Sequence, residues 1–176
     1  IINEDGDTLT LLDRTIHHFT TGISTLEVAS KTSADLVKNF KAFFDNVINN
    51  GSGEHKTYIV KTEGSANLKH LKQLLDKNGI TYTYSEGGAA TGFSYQTGKT
   101  EKFNLDRGDL LISTHQSKGV LARVLFEPNP KLEDSATYDI TAWALPYAYG
   151  LQAYAVKEKI AGTPALAVPT GPAKIL

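Results

Sequence analysis

Cysteine and methionine are both absent from this chain of 176 residues. Without cysteine the chain has no disulfide framework, no cysteine-ligated zinc or iron–sulfur site and no thiolate nucleophile. The first residue is Ile1 rather than methionine. We therefore expect the chain to be a processed or excised piece of a longer protein.

Neither sign of charge is in excess, since 18 lysines and arginines stand against 19 aspartates and glutamates. A duplex-binding protein needs a basic surplus to replace phosphate counterions, so we expect no nucleic-acid partner. Long apolar runs are also missing: no stretch approaches the ~20 residues of a membrane span, and none has the pattern of a signal peptide. The content of 40% hydrophobic and 21% charged residues is typical of a globular protein.

Helical periodicity dominates the first fifty residues. Between Thr8 and Ala29, apolar residues recur at spacings of 4, 3, 4 and 3, which puts them on one face of an amphipathic helix. These residues are Leu12, Ile16, Phe19, Ile23 and Leu26. A second helix is predicted from about Ala34 to Ile48, and the run 49–53 ends it. We expect residues 1–53 to be a helical connector that packs on the following domain.

Short strands alternate with a helix in the next part of the chain. Thr57–Val60 predicts a buried strand, a helix of ~12 residues follows, and residues 80–84 predict the next strand. A strand, a helix and a strand form a βαβ unit, in which the two strands are parallel. The small residues from Gly87 to Gly92 predict a mobile loop. Residues 93–96 and 102–105 predict an antiparallel excursion.

The remaining elements complete the predicted fold class. Residues 109–113 are the most convincing strand, 119–127 predict a helix, and 151–156 predict a final strand. We therefore predict an α/β fold with a mostly parallel sheet, helices on both faces and a helical N-terminal lead-in. The α/β domain would span residues 54–160, and 161–176 would be an extended tail.

Candidate chemistry begins at the loop that follows the strand 109–113, because ligand-binding loops of open α/β sheets gather at such strand ends. Ser113 and His115 there are candidates for a nucleophile–base pair, but no GxSxG motif surrounds the serine. A structural or ligand-lining role is the more frequent explanation. None of the five histidines begins an HxxE or HExxH motif, so we expect no zinc site in this chain.

An aromatic group near the C-terminus is a second candidate surface, able to stack on a sugar or a peptide. Its members are Tyr138, Trp143, Tyr147, Tyr149 and Tyr154. Core packing with the hydroxyls directed outward is the commoner explanation for such a group.

Two segments of the second half resemble a known family. Residues 108–112 and 116–128 are similar to a glycine-led strand, a Gln-Pro-x-Gly-type turn and a helix that ends in Leu-Leu-Glu-Pro. Residues 138–150 are similar to a Tyr-Asp-x-Thr-Ala-Trp-x-Leu-Pro stretch. Both patterns resemble large bacterial zinc carboxypeptidase-like proteins, in which an α/β accessory domain follows a carboxypeptidase A-type catalytic domain. Ser117 replaces the proline of the turn, and Phe126 stands where leucine is commoner.

The resemblance implies an accessory domain rather than the peptidase itself, because the chain has no HxxE motif. Its implied fold is flavodoxin-like, similar to class I glutamine amidotransferases, whose cysteine nucleophile is missing here. The implied partner is the catalytic domain of the same polypeptide, which alone would hold zinc, so no cofactor is expected in this chain. The implied location is extracytoplasmic, either periplasmic or secreted.

The sequence indicates four candidate binding residues: His115, Gln116, Arg123 and Trp143. Gln116 and Arg123 lie seven residues apart, which is two helical turns, so both side chains are placed to address one surface. We expect this chain alone to be no enzyme.

Three functional hypotheses follow, and each predicts a different structural feature. The first is a domain that braces the catalytic domain or shapes substrate access, which predicts an exposed apolar patch on the first helix. The alternative is an independent module that binds a peptide or glycan, which predicts a concave pocket at the strand ends. The third is a hydrolase that uses Ser113 or His115, which predicts a histidine in hydrogen-bond reach of a serine hydroxyl.

Overall fold

The computed structural model describes residues 2, 6–62, 67–129 and 144–164 of the chain. The chain divides into two compact units, Ile1–Phe44 and Asp45–Leu176, and the boundary between them falls inside the second helix. Most of the predicted tail lies outside the described residues.

The first helix, α1, spans Leu11–Lys31. Thr10 caps its start: the Thr10 hydroxyl accepts a hydrogen bond from the backbone N–H of Asp13, and the Asp13 carboxylate accepts one from the backbone N–H of Thr10. This reciprocal capping box satisfies two backbone donors that a helix start leaves unpaired. The predicted amphipathic helix is confirmed, two to three residues later in the chain than its pattern indicated.

The second helix, α2, spans Ser33–Asn50 and follows α1 after one residue. Helical hydrogen bonding continues across the junction, because Thr32 N–H donates to Val28 O at 2.9 Å and Leu36 N–H donates to Thr32 O at 2.9 Å. The predicted second helix is confirmed. Within the first unit, α1 and α2 therefore follow one another almost without interruption, and we call residues 11–44 the arm.

The second unit contains five strands and three further helices within the described residues. In chain order these are β1 (Thr57–Val60), α3 (Leu68–Lys77), β2 (Thr83–Ser94), β3 (Thr100–Ser113), α4 (Gly119–Phe126), α5 (Leu145–Tyr149), β4 (Ala153–Val156) and β5 (Thr163–Pro164). β1 lies between β3 and β4, β4 also pairs with the end of β2, and β2 pairs with β3. These contacts close β1 to β4 into a small barrel, and β5 adds to the start of β2.

The predicted α/β fold with a mostly parallel sheet is wrong, and so is its likeness to flavodoxin or to glutamine amidotransferases. Every pairing among the described strands is antiparallel, and β1 pairs with β3 and β4 rather than with β2. The βαβ interpretation assumed that α3 returns the chain to a strand beside β1. Instead α3 leads into a long hairpin whose short turn joins two antiparallel strands directly, as only antiparallel neighbours allow.

The hairpin of β2 and β3 also contains the small-residue segment Gly87–Gly92, which was predicted to be a loop. These residues lie inside β2, where Gly87 and Gly88 have φ values of +103° and +135° that favour glycine. A register shift between Tyr84 and Glu86 marks a bulge beside them. Bulges and strand glycines bend a strand, so this segment lets β2 stay paired with β3 from Thr83 to Phe93 while its end also pairs with β4.

The hydrophobic core has two parts, one on each face of the strands. Strand residues that face the helices pack with α3 and α4 in a group that contains Tyr58, Val60, Leu71, Leu75, Leu110, Ile112, Ala122, Phe126, Ala153 and Ala155. Strand residues on the opposite face form a second group with Ile59, Leu105, Leu111, Tyr154 and Val156. Alternate residues of each strand enter different groups, as the two-residue period of a strand requires.

None of the helices described here is both long enough and apolar enough to cross a lipid bilayer.

Candidate functional site

The loop after β3 brings Ser113 and His115 together. The backbone N–H of His115 donates to Ser113 Oγ at 3.1 Å, and His115 Nδ1 lies 3.5 Å from the same oxygen. Partial burial lowers the pKa of His115, and the positive charges of Lys159 and Lys56 lower it further. His115 is therefore neutral near pH 7.

The contact lacks the parts that a hydrolytic pair uses. Ser113 Oγ already accepts the backbone N–H of His115, and 3.5 Å is at the long limit for a hydrogen bond to Nδ1. A catalytic histidine is oriented by a third group, commonly a carboxylate. No carboxylate among the described residues contributes to the pKa of His115, whose charged neighbours are lysines. The geometry supports a role for this pair in holding the loop.

A network of close contacts fixes this loop against the segment that follows α2. Thr114 is buried; its hydroxyl accepts the backbone N–H of Ser52 at 3.1 Å and donates to Lys56 O at 3.4 Å. Gly51 has φ +67°, and a Cβ there would lie 2.7 Å from His115 Cε1. Glycine is therefore needed both for the backbone conformation and for the space that the imidazole occupies.

Gln116, a predicted binding residue, links the segment before β2 to the loop after β3 by side-chain hydrogen bonds. Its Oε1 accepts from the backbone N–H and the hydroxyl of Thr81, at 2.8 and 3.0 Å. Its Nε2 donates to Thr81 O at 2.9 Å and to Ser113 O at 2.6 Å. The carboxamide thus uses two donors and two acceptor sites internally, and a ligand would have to displace these bonds.

Arg123, another predicted binding residue, pairs within its own helix and packs on glycine. Arg123 Nε donates to Glu127 Oε2 at 3.2 Å, one helical turn further on. Its methylene groups cover Gly53, where a Cβ would lie 2.6 Å from Arg123 Cδ. The polar partners of Arg123 and of Gln116 are different residues. Trp143, the fourth predicted binding residue, lies outside the described residues.

The described members of the C-terminal aromatic group pack in different places. Tyr154 is buried and stacks on Phe103, with ring centroids 3.7 Å apart and an angle of 5° between the planes. Tyr147 instead makes an edge contact with Tyr95, at 5.1 Å between centroids. Tyr154 belongs to the core group away from the helices, whereas Tyr149 packs against the group beside them. Together they form no single stacking surface.

A buried ion cluster at the end of β1 was not predicted from the sequence. Lys61 Nζ lies 2.5 Å from a carboxylate oxygen of Asp106, 2.5 Å from one of Asp109 and 3.1 Å from Asn104 O. Burial lowers the pKa of Lys61, but the bonds and charges of the two aspartates outweigh it and leave a raised pKa. Val60, the residue before Lys61, is the antiparallel partner of Leu110, the residue after Asp109, so knowing that register would have placed Lys61 beside Asp109.

A polar groove along α3 was also missed. Lys72 Nζ donates to Tyr84 Oη at 2.8 Å and lies 5.8 Å from the ring centroid of Tyr82 and 5.4 Å from that of Tyr84. Burial and a hydrogen bond to Asp76 raise the pKa of Tyr82 to about 12. A cavity of about 430 Å³ lies on this face, lined by Leu68, Lys69, Lys72, Gln73 and Asp76. The alternation of threonine and tyrosine at 81–84 was the available signal.

The arm carries the largest set of exposed apolar side chains among the described residues. No residue of α1 is buried, although one face of the helix is apolar. The exposed set on the arm is Leu11, Leu12, Ile16, Phe19, Ile23, Leu26, Val28, Leu36, Val37, Phe40 and Phe43. Single exposed apolar residues are normal, whereas a contiguous exposed face marks an interaction site. The exposed apolar patch that the bracing hypothesis predicts is therefore present in the described arm.

Within the described ranges, no group of three or more histidine, aspartate and glutamate side chains is arranged to hold a metal ion. Comparison of the chain with protein-family models, with curated proteins and with solved structures gives no match.

Proposed function

We propose that this chain is a non-catalytic accessory module that braces the catalytic domain of a zinc carboxypeptidase-like protein, with the arm as its contact surface. The observation that carries the proposal is the exposed apolar face of the arm, where Leu12, Phe19 and Leu26 each expose about two thirds of their surface. The resemblance of residues 108–112, 116–128 and 138–150 supplies the kind of protein that is braced.

The physical argument rests on the cost of leaving this face in water. Burying one large aliphatic or aromatic side chain contributes roughly 1.5–3 kcal/mol, so a whole helical face of them is a strong driving force for association. A helix without tertiary contacts is also marginal in water, because most helical stability in proteins comes from packing of the apolar face. A partner that covers the arm supplies both contributions.

The test joins the chain to a carboxypeptidase A-type catalytic domain and makes the arm polar. The variant Ile16→Asp with Ile23→Asp replaces two exposed apolar residues, at 51% and 50% exposure. We expect it to shorten the half-life of peptidase activity during heating, because the catalytic domain loses the contact with the arm. The matched control is His18→Asp with Thr25→Asp, which adds the same charge to the other face of α1. Equal half-lives for all three proteins would refute the proposal.

A second function, glycan binding, is favoured by the groove on α3. Lys72 and Lys69 provide donors, Asp76 an acceptor, and two tyrosines lie beside them. A peptide could not extend the sheet here, since β2 is paired on both sides at residues 83 and 84. Binding would instead use side chains, as sugar hydroxyls and a sugar carboxylate allow.

Calorimetric titration with oligomers of a uronic acid tests this second function. We expect binding that Lys72→Gln weakens about tenfold, because it removes the charge beside the two tyrosine rings. Lys77→Gln, at the end of the same helix, is the control and should bind as the original chain does. Absence of heat with acidic and neutral oligomers alike would eliminate glycan binding at this groove.

A further inference from the structure

The apolar face of the arm follows a seven-residue repeat across both helices. From Leu12 to residue 44, the positions on this face follow one another at alternating spacings of four and three residues, with no break in the alternation. We call this row of positions the seam. The seam consists of Leu12, Ile16, Phe19, Ile23, Leu26, Ser30, Ser33, Val37, Phe40 and Phe44. A repeat of 3.5 residues, maintained over several heptads, is the signature of a coiled coil. The natural occupant of this seam is therefore another helix.

The residue types at the seam indicate which assembly forms. In heptad notation the a positions with apolar residues hold Ile16, Ile23, Val37 and Phe44, and the d positions hold Leu12, Phe19, Leu26 and Phe40. Three of the four a residues are β-branched, and two of the four d residues are leucine. In parallel coiled coils, β-branched residues at a together with leucine at d favour two strands over three or four.

The seam is also complementary to itself. Ser30 occupies an a position and Ser33 the next d position, so the seam is interrupted by two adjacent polar layers. Two parallel copies in the same register put each serine beside its own equivalent. A parallel copy shifted by one heptad would bury these hydroxyls against apolar side chains, which costs free energy when they are left without hydrogen bonds.

Charge does not oppose this pairing. The g positions, which flank the seam and face the e positions of a partner, hold Thr15, Gly22, Ala29, Leu36 and Phe43. None of them is charged, so two parallel copies bring no like charges together across the seam. Glu27, at an e position, already pairs with Lys31 of its own helix at 2.5 Å.

We infer that the arm binds the arm of a second copy of this chain in a parallel, in-register, two-stranded coiled coil. At 1.5 Å per residue, the 34 residues of the arm would form a seam about 50 Å long. The inference rests on the proposed function, since it names the occupant of the same contact surface. Two copies paired in this way would hold two catalytic domains side by side.

The mass of the unmodified chain in solution is the first test. We expect light scattering at tens of micromolar to give about twice the 19.1 kDa of one chain. The variant Ile16→Asp with Ile23→Asp should return to the mass of one chain, and His18→Asp with Thr25→Asp should remain a dimer. Unchanged near-ultraviolet circular dichroism of the tyrosines would show that the second unit stays folded in all three. A monomer at 100 µM for the unmodified chain would overturn the inference.

Disulfide cross-linking tests direction and register, and the absence of cysteine makes each introduced thiol unique. Leu12→Cys and Leu26→Cys occupy d positions, so each should give a dimer cross-linked to itself on oxidation. Thr21→Cys, on the outer face, should not. In an antiparallel pair only a residue at the two-fold axis meets its equivalent, so cross-linking of just one of the two d variants would overturn the parallel arrangement.

Failure of this inference is distinguishable from failure of the proposed function. If the chain alone is a monomer but arm variants still shorten the half-life of the joined catalytic domain, the arm binds the catalytic domain and only the second-copy inference fails. If the chain alone dimerises in parallel but the joined catalytic domain is indifferent to the arm, the inference stands and the bracing proposal fails.

Discussion

Lys61 and Asp109 are the charged side chains that the described part of the chain buries. Asp109 is 1% exposed; besides Lys61 Nζ, it accepts the backbone N–H groups of Asp106 at 2.8 Å and of Thr62 at 3.3 Å. One carboxylate therefore anchors the end of β1 to the middle of β3. An ion pair of this kind adds little net stability, but loss of one partner leaves the other charge buried without compensation.

Replacement of Asp109 by asparagine tests this account. Asp109→Asn preserves the volume but leaves the ammonium group of Lys61 without its buried counter-charge, so we expect a loss of about 3–5 kcal/mol of unfolding free energy. Asp106→Asn is the matched control, because its side chain is 62% exposed and its pair with Lys61 is worth less than about 1 kcal/mol. Urea unfolding followed by tyrosine fluorescence measures both. Equal losses would contradict the distinction between a buried and an exposed partner.

His55 and His115 make the stability of the second unit depend on pH. Burial is the largest cause of a lowered pKa in both histidines. The histidines of the unfolded chain have an ordinary pKa of about 6.5. Because the pKa is lower in the folded state, protons bind the unfolded chain more readily. The stabilising contribution of the neutral histidines is therefore fully present above the unfolded pKa. It is lost as the pH falls from the unfolded pKa toward the lower pKa of the folded state.

We expect the urea midpoint to fall between pH 8 and pH 5.5, a range in which most carboxylates stay ionised. The double variant His55→Gln with His115→Gln should show a smaller fall, since neither glutamine titrates. His17→Gln with His18→Gln, on the exposed α1, serves as the comparison and should retain the full pH dependence. If the double variant His55→Gln with His115→Gln shows the same fall in urea midpoint as the unmodified chain, these two histidines are not the origin of the pH dependence.

At the scale of elements, close backbone approaches position the helices of the second unit. α4 begins at Gly119, where a Cβ would lie 1.9 Å from Thr114 O and 2.7 Å from Val47 Cγ1. The start of α4 therefore touches the loop after β3 and the last turn of α2. Gly22, in the middle of α1, has nothing within 4 Å of its Cβ position.

Alanine substitution at the two glycines should have opposite effects. Gly119→Ala forces backbone atoms apart, and we expect it to destabilise the second unit by about 3 kcal/mol, at the upper end for overpacking. Gly22→Ala meets no atom and should stabilise α1 by about 1 kcal/mol through helix propensity. Urea unfolding measures the first effect, and far-ultraviolet circular dichroism at low protein concentration measures the second. A neutral Gly119→Ala would show that α4 does not approach the loop so closely.

At the scale of the whole molecule, the two units differ in how their helices and strands are stabilised. All four residues of β1 are buried, and its backbone pairs on both sides. α1 has no buried residue. Elements with few buried contacts open locally at low free energy, whereas core strands open only when the unit unfolds.

Hydrogen exchange followed by mass spectrometry tests this difference. In dilute protein we expect amides of α1 to exchange within seconds and amides of β1 to exchange only through global unfolding. Raising the protein concentration from 1 to 100 µM should slow exchange in α1 by at least tenfold, because pairing of two arms covers it. The rates in β1 should not change. Protection of α1 that is already high at 1 µM and independent of concentration would contradict the assignment of the arm as an uncovered surface.

Helices α1 to α4 were the part of this protein that the sequence determined on its own, whereas the short α5 was not predicted. The apolar residues of α1, α2 and α4 recur at helical spacing, Thr10 caps the start of α1, and the run 49–53 ends α2. The heptad seam of the arm is likewise a property of residue order alone. Residue order also excluded disulfide and thiolate chemistry, because the chain contains no cysteine.

The candidate site was likewise predicted from the sequence only in part. Its loop position after the strand 109–113 followed from residue order, but the bonds of Gln116 to Thr81 and the packing of Arg123 on Gly53 did not, because these partners are distant in sequence. The cluster of Lys61 and Asp109 was likewise invisible until two strands were paired. Side chains that meet across strands are fixed by register, and no local pattern encodes it.

Only the tertiary structure decided which strands are neighbours and in which direction they run. β1 is apolar without alternation, which is typical of a parallel strand covered on both faces. In this protein helices cover one face of β1, and the strands of the closed barrel cover the other. A strand buried on both faces has the same composition in either arrangement, so the sequence could indicate that β1 is buried but not that its partners are antiparallel.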